Sequence, residues 1–315
     1  MFNFKDVYLT DYYVVAGPFE KESGVKNCDL YLEDDYYNEK TMEKAEAKMQ
    51  KTILNKLIDN KTELIVGGDL TNQLTAFALS TMNINIPSMG MYSACATSAS
   101  SLITLSTFIQ SKLIKEGIFI TSSHNLAAEK QFRFPVEYGA PKPARSSSTA
   151  TAAVGIKLSK TPSKIKIVSA TLGKTIDSYI KDAHNMGAVM ALGAVKTLIE
   201  HLTITNTTIK DYDLILTGDL GKVGENIFKE TLKQEYNLSI KNHFDAGAEF
   251  YKNFEYAGAS GTAAQALMLV TKYIHQKKYK KILYLATGSL HSPVLVNQKN
   301  TIPTVTHAIY LEVEK

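Results

Sequence analysis

Apolar and polar positions along the chain follow two patterns, one typical of helices and one typical of strands. Between residues 39 and 60, apolar side chains recur at helical spacing with lysines between them, which predicts an amphipathic helix. An apolar run at residues 63–66, closed by the polar segment GGDLTNQ, predicts a buried strand. The first 40 residues, rich in tyrosine and acidic residues, predict an irregular or β-rich lead-in. Further helices are predicted at 74–82 and 186–201, and further strands at 84–90, 117–121, 149–158 and 164–170.

The second part of the chain repeats the first. DLILTGDLG (213–221) echoes ELIVGGDL (63–70), and three further segments match in the same order. These pairs are YAGASGTAAQALMLV with MYSACATSASSLITL, KKILYLATGSLHS with EGIFITSSHN, and IPTVTHAIYLEV with STATAAVGIKL. Matches in a constant order indicate an internal duplication. We therefore predict two halves, 1–171 and 172–315, each with helices covering a mostly parallel sheet.

The segment PSMGMYSACATSASSLITLS (87–106) contains Cys95 at the first turn of a predicted helix. A helix this poor in charge and bulk should run through the middle of the molecule, where other backbones approach closely. Its amino end carries partial positive charge, which favours a thiolate or a bound anion. A pocket where the two halves meet is therefore the expected ligand site. Cys95 could be a nucleophile, a ligand contact or a small core residue, and the pattern alone leaves all three open.

Composition narrows the class of protein. The 315 residues are 44% hydrophobic and 21% charged, as in a soluble globular chain. No apolar run approaches the roughly 20 residues of a membrane span, and Met1–Asp11 is polar and aromatic, so we expect neither a transmembrane segment nor a signal peptide. Two cysteines in different settings indicate a reducing compartment without disulfides. Lysines alternating with acids produce the net charge of +4, which argues against nucleic-acid binding.

Arginine occurs in one segment only. Arg133 and Arg145 are the only arginines, and both lie in EKQFRFPVEYGAPKPAR (129–145). The guanidinium group offers a rigid fork that binds carboxylates through two hydrogen bonds. Arg133 could therefore clamp a ligand carboxylate, or it could hold a loop against Glu129 or Glu137. Chance clustering of two residues is the third interpretation.

Several motifs carry a resemblance to a known family. They are GGDLTNQ (67–73), MGMYSACATSAS (89–100), QFRFPVEYG (131–139), KDAHNMGA (181–188) and LATGSLHSP (285–293). A duplicated α/β chain with a cysteine at the start of a buried small-residue helix resembles the thiolase superfamily. QFRFPVEYG and KDAHNMGA are specific enough that the chain resembles, within it, the stage V sporulation protein AD family. The resemblance implies an α/β, duplicated thiolase-like fold of two βαβαβαββ halves in a layered α/β/α/β/α arrangement.

The resemblance also implies a function. Members of that family are expected to bind dipicolinic acid (pyridine-2,6-dicarboxylate) without catalysis, during its uptake into developing spores and its release at germination. The implied partners are sibling proteins of a spore membrane channel complex, with the chain soluble and peripheral to the inner spore membrane. A homodimer is expected by analogy with the superfamily. No cofactor or metal site is implied, although calcium could accompany the ligand.

The alternative is a thiolase-like or ketoacyl-synthase-like acyltransferase with Cys95 as acyl acceptor. Such catalysis needs a histidine and a second histidine, asparagine or cysteine from the other half of the chain. At the corresponding places this chain reads Thr217-Gly218-Asp219 and Ala259-Ser260-Gly261. The partners of the nucleophile are therefore missing, and we expect no enzymatic activity.

The residues predicted to contact the ligand are Asp69, Cys95, Ser123, His124, Arg133 and Asn185. Asp69 precedes an apolar-periodic segment, so it could cap a helix or contact the ligand. Beside a dicarboxylate it would have to be protonated, share calcium, or accept a hydrogen bond from a protonated ring nitrogen. His124 could equally be a structural, hydrogen-bonded histidine. Asn185 is preferred to His184, because the family pattern usually has asparagine where this chain has His184.

Overall fold

The architecture is known from a computed structural model, which describes residues 1–132, 143–251 and 257–314. In the first part of the chain the strands are β1 (Phe2–Asn3), β2 (Tyr8–Ala16), β3 (Leu30–Tyr31), β4 (Leu64–Gly68), β5 (Ser88–Gly90), β6 (Glu116–Ser123), β7 (Ser148–Thr149) and β8 (Ala152–Ser159). The helices between them are α1 (Pro18–Glu22), α2 (Met42–Leu57), α3 (Thr75–Thr81), α4 (Thr97–Gln110) and α5 (Asn125–Phe132).

The second part repeats the main strands and helices in the same order. Its strands are β9 (Ile165–Thr171), β10 (Ile176–Asp177), β11 (Leu214–Thr217), β12 (His243–Asp245), β13 (Ala259–Ser260), β14 (Lys281–Ser289) and β15 (Pro303–Val313). Its helices are α6 (Met186–Thr205), α7 (Gly221–Tyr236), α8 (Ala246–Phe250), α9 (Thr262–Met268) and α10 (Pro293–Asn297). A π-helical turn, Leu269–Ile274, continues α9. Helix α8 and strand β13 are additional elements of this part.

The strand order shows the duplication directly. The main sheet runs β12-β11-β14-β15-β9-β2-β8-β6-β4-β5. Each half contributes five strands to this path. Numbered in chain order and read from the outer edge of the sheet inward, both halves have the order 3-2-4-5-1. In each half the fifth strand is antiparallel to its neighbours. The first strands, β2 and β9, pair briefly at Tyr8–Lys166 and Leu9–Ile165 and join the halves.

Alternating side chains divide the core into layers. On β6, Ile118 and Ile120 pack under α2, whereas Phe119 faces the centre; on β14, Leu283 packs under α6, whereas Tyr284 faces the centre. This alternation is the period of two of a strand with both faces buried. Helices α4 and α9 lie between the two halves of the main sheet, and the predicted α/β/α/β/α thiolase-like arrangement is confirmed.

Small residues let the central helices approach closely. The backbone N–H of Ser98 on α4 donates to Thr262 Oγ1 at the start of α9 (2.9 Å), and that hydroxyl also contacts Thr121 Oγ1 (2.8 Å). All three residues are fully buried. Contacts this short between hydroxyls and backbone leave no room for larger side chains, which explains the run of serine, threonine and alanine.

The structure refines three details of the predicted elements. The chain enters α4 at Thr97, so Cys95 lies just before the helix and not within its first turn. The lead-in contains the nine-residue strand β2 in the middle of the sheet. Strand β9 lies before the predicted 171/172 boundary, and it pairs with β15 as well as with β2. The boundary itself stays a prediction.

Among the described residues, helix α6 is long and apolar enough to cross a bilayer. Most of the helix is buried, with Ala191, Ala194 and Leu198 fully enclosed against the second half of the sheet. The core helix of a globular protein shows the same composition.

The contact between α6 and α7 generates a stability prediction. A Cβ at Gly224 would overlap the carbonyl oxygen of Gly187, because the two helices touch there through their backbones. Gly224→Ala should lower the free energy of unfolding by about 1–3 kcal/mol through overpacking, despite the better helix propensity of alanine. Urea unfolding followed by circular dichroism would measure it. Asn226→Ala, at an exposed position of the same helix, is the control, and equal effects of the two changes would contradict the assigned contact.

Candidate functional site

Cys95 lies in a tight turn between β5 and α4. The preceding residue, Ala94, has a φ of +50°, in the left-handed region that residues with a side chain seldom adopt. On the other side, a Cβ at Gly288 would lie 2.6 Å from the backbone oxygen of Ser93, so β14 holds this turn closely. The result is a thiol at the amino end of α4 that is only 5% exposed.

The side chain that faces this thiol is Asp219, from the loop between β11 and α7. Its Oδ2 accepts a hydrogen bond from the Gly261 N–H (2.9 Å), and its Oδ1 accepts from Gln265 Nε2 (2.8 Å) and Thr287 Oγ1 (2.9 Å). The Cys95 thiol is a further hydrogen-bond partner of the carboxyl group. Asp219 is 1% exposed, so this carboxyl group lies wholly within the middle layer.

Burial raises the pKa of both the Asp219 carboxyl group and the Cys95 thiol. Loss of hydration raises the pKa of Asp219 to about 6, although its hydrogen bonds act in the opposite direction. Burial, and then the negative charge of Asp219, raise the pKa of the Cys95 thiol well above its ordinary value. The thiolate is the nucleophilic form of cysteine. This environment therefore keeps Cys95 as a neutral thiol.

A small pocket of about 30 Å³ opens in front of Cys95. It has room for roughly two water molecules. The residues that line it are Leu70, Tyr92, Ala94, Cys95, Phe132, Thr149, Met186, Ser260, Ser289 and His291. Three of these side chains are aromatic rings, and the rings of Phe132 and His291 lie 5.4 Å apart. The pocket is thus bounded by flat rings and hydroxyl groups.

The hydroxyl of Ser289 is a buried polar group of the pocket without a hydrogen-bond partner among the described residues. The side chain of this residue is only 3% exposed. A buried hydroxyl without a partner is costly, and such groups in native proteins usually mark a ligand or water position. Tyr92, at 45% exposure, stands at the opening.

Asp69 caps a helix. Its Oδ1 accepts from the Thr71 N–H (2.7 Å) and hydroxyl (2.5 Å), and its Oδ2 accepts from the Phe77 N–H on α3 (2.7 Å). Burial raises the pKa of Asp69, and burial together with the charge of Asp69 raises the pKa of neighbouring Glu46. The structure thus gives both oxygens of Asp69 a structural task. Ligand contact by Asp69 stays a prediction.

Ser123 and His124 hold the end of β6. Ser123 Oγ donates to the Ala150 carbonyl (2.7 Å), and His124 Nε2 contacts the Asp35 carbonyl (2.8 Å). Burial lowers the pKa of His124, which favours the neutral ring. Both side chains are buried beside neighbouring backbone and lie outside the lining of the pocket.

Asn185 accepts a hydrogen bond from the Ala188 N–H (3.4 Å) and so forms the N-cap of α6. Arg133 lies outside the described residues. Asp69, Asn185 and Arg133 are nevertheless each next in sequence to a residue that lines the pocket, namely Leu70, Met186 and Phe132. Among the predicted residues that the structure describes, Cys95 is the one that lines the pocket.

The residues predicted from the sequence to contact the ligand did not include Ser260, Ser289, His291 or Asp219. The repeated motif LATGSLHSP contains two of the missed residues and was a usable signal. Among the residues that the structure describes, no group of three or more His, Cys, Asp or Glu side chains could hold a metal ion.

Comparison with known proteins shows the family of the chain. The family model for stage V sporulation protein AD matches residues 2–312. Stage V sporulation protein AD of Bacillus subtilis (strain 168) is 35% identical over 319 residues, covering 97% of this chain and 94% of that protein.

Solved structures show the fold. A 3-oxoacyl-[acyl-carrier-protein] synthase III from Aquifex aeolicus VF5 is 14% identical with a TM-score of 0.56, covering 99% of both chains. A histidine-to-asparagine variant of OleA from Xanthomonas campestris is 10% identical with a TM-score of 0.62, covering 98% of this chain and 99% of that one. At these identities the likeness concerns architecture alone.

The environment of Cys95 predicts slow alkylation. In a Cys28→Ser variant, which leaves one thiol, iodoacetamide should modify the folded protein at about pH 8 more than tenfold slower than the same protein unfolded in urea, because burial and Asp219 suppress the thiolate. The rate should still rise above about pH 9. Rapid modification with an apparent pKa below about 8 would show that the thiol is activated.

Proposed function

The chain belongs to the stage V sporulation protein AD family, and on that premise we propose that it is a non-enzymatic binding protein for dipicolinic acid (pyridine-2,6-dicarboxylate). It would act in the uptake of this acid into developing spores and in its release at germination. Its partners would be sibling proteins of a spore membrane channel complex, with this chain peripheral to the inner spore membrane.

The observation that supports binding over catalysis is the contact between Asp219 and Cys95. Acyl transfer in thiolase-like enzymes needs a base or a positive group to generate the thiolate. Here the group beside the thiol is a buried carboxyl group, which raises the pKa of the thiol and offers a thiolate no positive charge. The retained position of Cys95, at the amino end of α4, is what favours the acyltransferase alternative. A covalent adduct on Cys95 after incubation with acyl-coenzyme A would support that alternative.

The walls of the pocket suit a planar aromatic acid. The rings of Phe132 and His291, 5.4 Å apart in a tilted arrangement, provide flat surfaces beside a pyridine ring. The hydroxyls of Ser260, Ser289 and Thr149 can donate hydrogen bonds to carboxylate oxygens. A pocket of about 30 Å³ is smaller than such a ligand, so binding requires movement at the opening. Tyr92, the half-exposed ring there, is placed to move.

Arg133 is proposed to bind one ligand carboxylate. It directly follows Phe132, the last described residue before the gap and part of the pocket wall. The other arginine of the chain, Arg145, already pairs with Asp182 (3.0 Å) and is half-exposed. Arg133 and Arg145 lie in one segment, so Arg145, with its described partner Asp182, is the matched control for mutagenesis of Arg133.

Titration calorimetry with dipicolinate, with and without calcium, tests the proposal. We expect saturable binding by the wild-type protein, and Arg133→Ala should weaken it by about tenfold or more through loss of a charge-assisted, two-point contact. Arg145→Ala should leave the affinity within about twofold. If calcium accompanies the ligand, it should tighten binding when added at equal concentration.

Two results would contradict the proposal. One is the absence of heat at millimolar dipicolinate with protein shown to be folded by circular dichroism. The other is equal weakening by Arg145→Ala, which would indicate a general charge effect and would remove Arg133 from the site.

We also propose that the chain forms a homodimer through β5. All three residues of this edge strand are exposed, and Met82, Met89 and Tyr92 are exposed apolar side chains on or near it. An exposed strand edge with apolar side chains is a template for pairing with another strand. A second copy of the same edge provides a self-complementary partner.

Met89→Lys should therefore shift the protein from dimer to monomer in sedimentation velocity. The control is Leu113→Lys, because Leu113 is 70% exposed but lies beyond the other end of α4. A wild-type protein that sediments as a monomer at micromolar concentration, or a dimer that Met89→Lys leaves intact, would rule out this interface.

A further inference from the structure

We propose that the Cys95 pocket takes up a proton when it binds an anionic ligand, and that Asp219 is the group that accepts this proton. The inference rests on the proposed function, since it concerns the same pocket. It goes beyond family membership, because it makes the affinity for the ligand depend on pH.

Asp219 lies directly behind the wall of the pocket. Two of the groups bonded to its carboxyl oxygens belong to this wall or adjoin it: the thiol of Cys95, and the N–H of Gly261, which follows Ser260. A ligand that touches Cys95 and Ser260 is therefore separated from the carboxyl group by one layer of atoms. Because Asp219 is 1% exposed, water does not screen the interaction between the two charges.

The donors around Asp219 are neutral. Within the described residues, its hydrogen-bond partners are the Gly261 N–H, the Gln265 amide, the Thr287 hydroxyl and the Cys95 thiol. None of these groups compensates a full negative charge. A dicarboxylate entering the pocket would thus meet an uncompensated buried carboxylate, which protonation of Asp219 would remove.

The same partners can accommodate the protonated acid. A hydroxyl or thiol can act as donor or acceptor, so Thr287 Oγ1 and Cys95 Sγ can each reverse their hydrogen bond when Asp219 carries a proton. The amide of Gln265 and the N–H of Gly261 keep their roles as donors. The site therefore holds either protonation state without losing a hydrogen-bond partner.

Other titratable groups face Asp219 from each neighbouring element. Cys95 lies before α4, and Tyr284 lies on β14, where its hydroxyl contacts Ser98 Oγ (2.8 Å) and Gln265 Oε1 (3.2 Å). Burial raises the pKa of Tyr284 and Cys95 above the neutral range, so both stay uncharged.

Asp245, on β12, is a further buried carboxyl group near Asp219. Burial raises its pKa to about 6, and its oxygens accept bonds from Thr217 Oγ1 (2.7 Å) and from the Leu220, Gly221 and Ala248 N–H groups. His243 contacts the same Thr217 hydroxyl (2.8 Å) and lies 3.3 Å from Glu225. Asp245 is bonded to the start of α7 and not to the pocket wall, which makes it the matched control for Asp219.

The direction of the pH effect follows from these charges. Burial already places the pKa of Asp219 at about 6, and a bound anion raises it further. Between the free and bound pKa values, each ligand should bring one proton with it, and affinity should fall by up to about tenfold for each unit of rising pH. Below about pH 5 the acid is already protonated, so proton uptake should disappear.

The experiment is titration calorimetry with dipicolinate, without calcium, in phosphate and in Tris, two buffers of different ionisation enthalpy. Wild-type protein at about pH 7 should take up between about half and one proton per ligand, and none at about pH 5. Asp219→Asn should bind with no uptake and with an affinity independent of pH, whereas Asp245→Asn should keep the wild-type uptake.

The outcomes separate the inference from the function. Binding with equal heats in both buffers and no pH dependence overturns the proton linkage but leaves the binding function standing. Uptake retained in Asp219→Asn also overturns it, whatever Asp245→Asn does, because another group then accepts the proton; loss of uptake in Asp245→Asn alone would name Asp245 as that group. Absence of binding overturns both proposals. The wild-type proton count decides for or against linkage even if Asp219→Asn does not fold.

Discussion

A buried carboxyl group against a buried thiol is the interaction on which the rest of this site depends. The carboxyl group of Asp219 accepts hydrogen bonds from the turn before α9, from α9 itself and from β14. Gln265 ties this arrangement together, because its amide nitrogen also donates to the Thr287 carbonyl (2.7 Å) and its oxygen accepts from Tyr284 (3.2 Å). Without the carboxyl group these buried donors would lack partners, at a cost of about 1–3 kcal/mol each. The middle layer is therefore built around a group that disfavours a thiolate.

The two copies of the repeat have diverged at equivalent positions. Asp69 and Asp219 both follow the end of a buried strand in a GDL segment. Asp69 caps α3 through the Phe77 N–H, whereas the start of α7 is held by Asp245, which accepts from Leu220 and Gly221. Asp219 is thereby free of the capping task and faces Cys95. The two halves thus share a strand order but differ in the residue that caps the helix after the GDL segment, and Asp219 is the one of the two aspartates that contacts Cys95.

The fold could be predicted from the sequence because local sequence patterns reveal the duplication. Apolar runs ending in GDL and the two small-residue helices repeat in order, and so they predict the layers and the place of Cys95. Asp219 and Cys95 are more than 100 positions apart in the sequence. Their contact could not be predicted from the local pattern of either segment. The same holds for Ser289 and His291, which reach the pocket only because β14 lies beside the Cys95 turn. His124 Nε2 contacts the distant Asp35 carbonyl, and ligand contact by His124 stays a prediction.

The central claim is that the space in front of Cys95 is a binding pocket with an inert thiol in its wall. A crystal structure of the protein with dipicolinate bound tests this most directly. The account predicts the pyridine ring beside Phe132 and His291, a carboxylate within hydrogen-bond distance of Ser289 Oγ, and an unmodified Cys95 thiol still bonded to Asp219. Ligand density at a different surface with this pocket unchanged, or a Cys95 side chain turned away from Asp219 and covalently modified, would contradict it.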